Sequence, residues 1–171
     1  TNASNIFTNS QTITNTQSSN GKALYINGTI NTLQNSGTFA STGTSSGNAG
    51  IHIYAGTLNT LQNSGTIRAT NGYGLKLEGS RATVGAIQNS AFIYGLFNSG
   101  KITSITNSAN ILASSTNNKG AINNVAGTIT LISNKGTGNI TGYNAYDYYG
   151  IYNDNGTITT IENYGTISAN A

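Results

Sequence analysis

Apolar residues recur along this chain in short runs of alternating character, three to five positions long. Ile-x-x-Leu or Ile-x-x-Ile phrases follow Gly-Thr and are closed by Asn. The segment at residues 28–39, GTINTLQNSGTF, returns almost unchanged at residues 56–67. Looser copies occupy 83–93, 101–111, 127–140 and 156–167, and a partial copy opens the chain at 7–13. An Asn two residues after an apolar residue marks each copy: Asn9, Asn35, Asn63, Asn89, Asn107, Asn134 and Asn163, separated by 26, 28, 26, 18, 27 and 29 residues. Repetition at this period, with runs rich in Ile, Thr and Tyr and punctuated by Gly and Asn, predicts short strands rather than helices. A single coil of this length cannot cover its own apolar side, so the coils must stack on a common core.

The shortest step, from Asn89 to Asn107, defines the minimal coil as three short sides. Only Tyr94 and Gly95 separate Ile93 from Leu96, whereas the same gap in other coils holds residues 40–50, 68–74, 112–121 and 141–150. One corner therefore accepts insertions. After it a strand resumes at Leu24-Tyr25-Ile26, Ile51-His52-Ile53, Leu75-Lys76-Leu77, Leu96-Phe97 and Ile151-Tyr152, its alternation placing the middle residue outside. The expected fold is all-β: a right-handed parallel β-helix of about seven coils. The hand follows from the general preference of parallel crossovers, about 98% right-handed. A left-handed hexapeptide solenoid would need an apolar residue at every sixth position, and Ile30 to Leu33 breaks that spacing. Inward positions are expected at Ile30, Leu33, Phe39, Leu58, Leu61, Ile67, Ile87, Ile105, Ile129, Ile158 and Ile161. The marker Asn residues are expected at a corner, where Asn tolerates left-handed backbone and its amide can bond to the Asn above and below.

Composition changes the picture in one respect. The 171 residues include 27 Asn, 26 Thr, 18 Ser and 22 Gly, with only 6% charged against roughly 25% in an ordinary domain. That bias often accompanies disorder, but 36% of the residues are hydrophobic and regularly placed, which favours order. Without Cys, disulfides and thiolate metal sites are excluded. Seven scattered cations form no basic stripe of the kind nucleic acid demands, so no nucleic-acid partner is expected. No run reaches the roughly 18 apolar residues of a membrane helix, and direct insertion of this segment into a membrane is not expected. The start at Thr1 and the lack of Met lead us to expect that residues 1–171 are one β-helix segment of a longer protein.

The phrase Gly-Thr-Ile-x-x-Leu-x-Asn-Ser-Gly-Thr-Ile resembles the passenger domains of Gram-negative type V autotransporters, and is most similar to vacuolating-cytotoxin-like and adhesin members. The resemblance covers nearly the whole chain. It implies a β-helix exported through the outer membrane and displayed on the cell surface or secreted, with roles in adhesion, colonisation, virulence or self-association. Its partners would be a host cell-surface receptor or glycan, or like β-helices. The family's C-terminal membrane barrel is not among these residues, and no family catalytic motif is present to carry over.

Candidate chemistry is sparse. The four acids, Glu78, Asp147, Asp154 and Glu162, occupy non-equivalent positions. A carbohydrate-active lyase or hydrolase would need a close pair of them, and solvated turn acids are the simpler expectation. His52, the single histidine, falls on an outward position and is expected at the surface of a sheet. A Thr column at Thr29, Thr57, Thr83, Thr128 and Thr157, broken by Lys101, raises an ice-binding solenoid as another alternative. The segment at residues 142–150 concentrates Tyr143, Tyr146, Asp147, Tyr148 and Tyr149, followed by Tyr152. Tyr offers large contact area at low entropic cost, and these six residues are the candidate binding site. The leading expectation is a non-enzymatic structural and adhesive module requiring no cofactor and no metal.

Overall fold

The computed structural model describes residues 5–114, 119–142 and 149–169, and everything described is strand, turn or loop, without a helix. Three parallel sheets form the three sides of a β-solenoid. The first sheet holds Ile6–Asn9, Thr29–Asn35, Thr57–Asn63, Thr83–Asn89, Lys101–Asn107, Thr128–Asn134 and Thr157–Asn163. The second holds Thr12–Asn15, Thr38–Ser41, Thr66–Ala69, Phe92–Tyr94, Asn110–Leu112, Asn139–Gly142 and Thr166–Ala169. The third holds Lys22–Ile26, Asn48–Tyr54, Gly72–Glu78, Leu96–Asn98, Gly120–Val125 and Tyr149–Asp154. The described chain thus makes six full turns and two sides of a seventh, close to the seven coils expected. At about 4.8 Å per rung the stack is roughly 30 Å long.

Each strand pairs with its counterparts one turn before and after, in a register that places like residues on like. Leu33, Leu61, Ile87, Ile105 and Ile132 stand in one column of the first sheet. Phe39, Ile67, Ile93, Ile111 and Ile140 form another in the second. These side chains are fully buried and make one continuous core. Of the inward set expected from the sequence, eight are buried, and Ile30 and Ile158 are half-buried against the core. Ile161 is 47% exposed. It continues the Leu33 column but lies on the last described rung of its sheet, so only one side of it is covered.

The seven marker Asn residues close the strands of the first sheet and build an uninterrupted amide ladder. Each Nδ2 donates to the Oδ1 of the next, from Asn9 through Asn35, Asn63, Asn89, Asn107 and Asn134 to Asn163, over 2.8–2.9 Å. The same Nδ2 groups reach backbone carbonyls at the corner, as Asn89 does to Ala91 and Asn110, both at 3.1 Å. Their backbone is not left-handed. Among the described residues, positive φ outside glycine occurs at Asn20, Ala55, Ala126 and Asn155. The ladder Asn are therefore needed for their amides and not for unusual backbone, which corrects one reason given for them above.

A second ladder went unread in the sequence. Asn98, Asn124 and Asn153 stand at or one residue before the ends of strands of the third sheet, Asn98 donating to Asn124 and Asn124 to Asn153, each over 2.7 Å. Their column begins as aliphatic, with Ile26, Ile53 and Leu77, and changes to Asn at the fourth rung. The same spacing rule, Asn two residues after an apolar residue, marks all three.

Two stability predictions follow from this geometry. In the minimal coil Gly95 alone joins the second sheet to the third, at φ +77°. A Cβ there costs about 1–2 kcal/mol, so Gly95→Ala should lower the thermal midpoint by roughly 2–8 °C. Gly28→Ala, where a Cβ meets nothing within 4 Å, should leave it unchanged or slightly raised. Asn89→Leu leaves the buried Oδ1 of Asn107 and two backbone carbonyls without their donor, and should destabilise by about 2–4 kcal/mol in urea unfolding. An unchanged midpoint for that variant would show that the ladder contributes nothing net.

Candidate functional site

The outward face of the third sheet gathers most of the chain's described chemistry. In-register pairing stacks Tyr25, His52, Lys76, Phe97, Asn123 and Tyr152 as one outward column. Beside it, two residues further along their strands, stand Tyr54 paired with Glu78 and Val125 paired with Asp154. Neighbouring rungs lie about 4.8 Å apart, so long side chains on this face touch across rungs.

At one end of the column His52 is only 4% exposed, contrary to the surface position expected for it. It does point outward, but Tyr25 and Tyr54 close over the ring edge-on, with centroids 5.5 and 6.0 Å away. Those two tyrosines remain 50% and 47% exposed. Glu78 Oε2 lies 2.9 Å from His52 Nε2 and 3.0 Å from Lys76 Nζ. The His52 contact is close in distance but off the N–H direction, and neither ring nitrogen has a directed hydrogen-bond partner among the described residues. Burial lowers the His52 pKa to about 4, helped by the charges of Lys76 and Lys22 and opposed by Glu78. The imidazole is therefore neutral near pH 7. Burial pulls the Glu78 carboxyl upward, but its hydrogen bond with Lys76 and the charges of Lys76 and His52 outweigh that and hold it below its ordinary value.

Further along the face Tyr73 packs against Phe97 at 5.1 Å, and Lys76 Nζ lies 5.9 Å from the Phe97 ring centre. Burial pushes the Tyr73 phenol up to about 12. At the far end Tyr149 stacks on Tyr152 at 5.6 Å, with 25° between the rings. Lys119 donates to Tyr152 Oη over 3.0 Å and lies 4.8 Å from the centre of its ring. The Tyr152 hydroxyl in turn donates to Asp154 Oδ2 over 3.3 Å. The hydrogen bond to Tyr152, together with the negative charge of Asp154, holds the Lys119 ammonium above its ordinary pKa.

Of the six residues expected to form a binding site, Tyr149 and Tyr152 come together on this face, while Tyr143, Tyr146, Asp147 and Tyr148 lie outside the described residues. The cluster at Tyr25, His52, Tyr54 and Glu78 was not anticipated as a site. Its signal was the alternation His52, Tyr54 set one rung from Tyr25. Of the described acids, Glu78 and Asp154 share this face but stand three rungs apart, about 14 Å, beyond the roughly 5–10 Å of a glycosidase pair. Glu162 is on the first sheet, accepting from Ser133 Oγ. Among the described residues no group of three or more His, Cys, Asp and Glu is assembled for a metal ion.

The chain matches no family model, no curated protein and no solved structure. Its chemistry must be read from the geometry alone: a row of aromatic rings, flanked by ammonium and carboxylate groups, on one side of a rod.

The His52 site predicts a pH response of definite sign. Its folded pKa of about 4 lies below its ordinary value of 6.5, so the unfolded chain takes up the proton first. Stability is complete above about pH 6.5 and is lost as pH falls towards 4, by about 1–2 kcal/mol after allowance for solvent screening. Glu78 acts in the same direction below its ordinary pKa. Urea midpoints at pH 7 and pH 4.5 should differ for the wild type, and His52→Phe should remove most of the difference. A wild-type profile flat across that interval would contradict the neutral buried imidazole.

Proposed function

We propose that this chain is a non-catalytic structural and adhesive module, a rigid segment of an exported, surface-displayed or secreted Gram-negative autotransporter passenger. The observation that carries the reading is the aromatic and charged row along the outer third sheet. Solvent-exposed Tyr rings held on strands lose little conformational freedom when a partner docks, and such anchors dominate contact energetics. The corner between the second and third sheets borders this row. There the connection varies from a single residue, Gly95, to seven, residues 113–119, in sequence length. Length variation at one corner of a fixed scaffold is the arrangement by which loops diversify recognition.

The partner fits a host surface glycan or receptor, or a second copy of the rod. The wide separation of Glu78 from Asp154 weighs against a carbohydrate-cleaving fragment. The Thr column, interrupted by Lys101 between Thr83 and Thr128, weighs against an ice-binding surface.

The test uses the purified chain on beads, scored for attachment to cultured epithelial cells, with sedimentation velocity reporting self-association. Replacing Tyr149 and Tyr152 together by Ser should weaken attachment or self-association by about fivefold or more, on the order of 1 kcal/mol, while the β-sheet circular dichroism stays unchanged. A wild-type chain that neither attaches nor self-associates would overturn the adhesive reading.

A further inference from the structure

Beneath Tyr25 and Tyr54 the third sheet carries a shallow depression of about 520 Å³, bounded by Asn20, Lys22, Tyr25, His52, Tyr54 and Glu78. That volume is within the range of small-molecule sites, which combine apolar surface with a few placed polar groups. The two tyrosines turn toward His52 with their rings steeply inclined to the imidazole, at 69° and 68°, and about half of each side chain faces solvent. An exposed Tyr ring offers a flat apolar face, on which the C–H face of a pyranose can lie. His52 forms the floor between the two rings: it is 96% buried, with Glu78 Oε2 2.9 Å from its Nε2. Both nitrogens are closed off from solvent, so the imidazole supports the tyrosine pair and senses the site without touching a ligand.

Charge narrows the ligand. Glu78 is already engaged by Lys76. Lys22 donates to the Asn20 carbonyl over 2.8 Å and has no ion pair among the described residues. With His52 neutral, two ammonium groups face one carboxylate. That excess disfavours a quaternary ammonium, which would otherwise suit an aromatic pair, and favours an anion beside Lys22.

We propose that this depression is a glycan subsite for a carboxylate-bearing pyranose: the ring stacks on Tyr25 and Tyr54, its carboxylate pairs with Lys22, and its hydroxyls bond Asn20 and Glu78. The proposal rests on the adhesive reading and deepens it by naming the ligand class and the place. It adds a subsite at the end of the face opposite Tyr149 and Tyr152, whose contacts remain those of the adhesive reading.

His52 is the only histidine, so its ring resonances report on this site alone. The purified chain is titrated with trigalacturonate and with 3′-sialyllactose. Their neutral counterparts, methyl-esterified trigalacturonate and lactose, are titrated alongside. At least one acidic probe should shift the His52 ring signals with a dissociation constant on the order of 1 mM or tighter. Its neutral counterpart should bind about tenfold more weakly, and Lys22→Gln should weaken the acidic probe by a similar factor. Tyr25→Ser and Tyr54→Ser should abolish the shift while leaving the circular dichroism intact. No response to either acidic probe, or equal affinity for the neutral counterparts, overturns the proposal. The two readings fail separately. Loss of cell attachment in the Tyr149, Tyr152 variant with a silent His52 titration removes only this subsite. A positive titration with no attachment or self-association by the wild type removes only the adhesive role.

Discussion

Everything in this molecule depends on parallel, in-register stacking of one rung on the next. In such a stack the neighbours of a side chain are the residues at the same position one turn earlier and one turn later. A column is stable only if its members tolerate one another at about 4.8 Å. Aliphatic residues meet that demand by dispersion and by excluding water. Asn meets it by donating along the column and accepting from the other direction, so that one residue type satisfies itself indefinitely. The first ladder does this across seven rungs at a buried corner, where a lone amide would be a liability. Every amide in it runs the same way, and aligned dipoles in a low-dielectric corner reinforce one another.

The same rule explains why the solenoid tolerates such uneven turn lengths. Corner backbone pairs from rung to rung, as where Thr38 N donates to Gln11 O and Thr66 N to Gly37 O, both over 2.9 Å. Where rungs bond directly, length varies little: two residues join the first sheet to the second in most coils and four, 135–138, in one. The corner between the second and third sheets keeps such bonds only beside its strands, as from Thr42 N to Asn15 O and Thr70 N to Ser41 O, and a coil can be closed there by Gly95 or by a longer connection. Variation is greatest at that edge of the rod, beside the face that carries the aromatic row, while each of the other corners gains two residues once, at 135–138 and at 79–82.

On that face, stacking has a different consequence. Outward positions need not match, since solvent can satisfy them, and here they do not match: Tyr, His, Lys, Phe, Asn and Tyr follow one another in a single column. Unlike groups are thereby forced into contact, and new properties appear that none of them has alone. His52 becomes buried because its neighbours are large. Glu78 is held ionised because Lys76 adjoins it. Lys119 acquires a hydrogen-bond relay through Tyr152 to Asp154 because their columns run side by side. The face is chemically varied because the core beneath it is monotonous.

How much of this was legible in the sequence divides along the same line. The fold class, the three-sided coil, the position of the accepting corner and the first Asn ladder could all be read from residue order. Periodic columns require periodic sequence, and residues such as Leu33, Leu61 and Asn63 recur at the spacing their neighbours need. The second ladder at Asn98, Asn124 and Asn153 carried the same mark but was hidden, because its column begins with Ile26, Ile53 and Leu77. The burial of His52 could not be read at all. Alternation places it outside correctly, but whether an outward residue meets water depends on the size of residues about 27 positions away in the chain and one rung away in space. The sequence by itself determined what must repeat, since the core and the ladders work only through repetition. Only the tertiary structure decided what the non-repeating residues do, because their environment is set by the register that brings Tyr25, His52, Tyr54, Lys76 and Glu78 together.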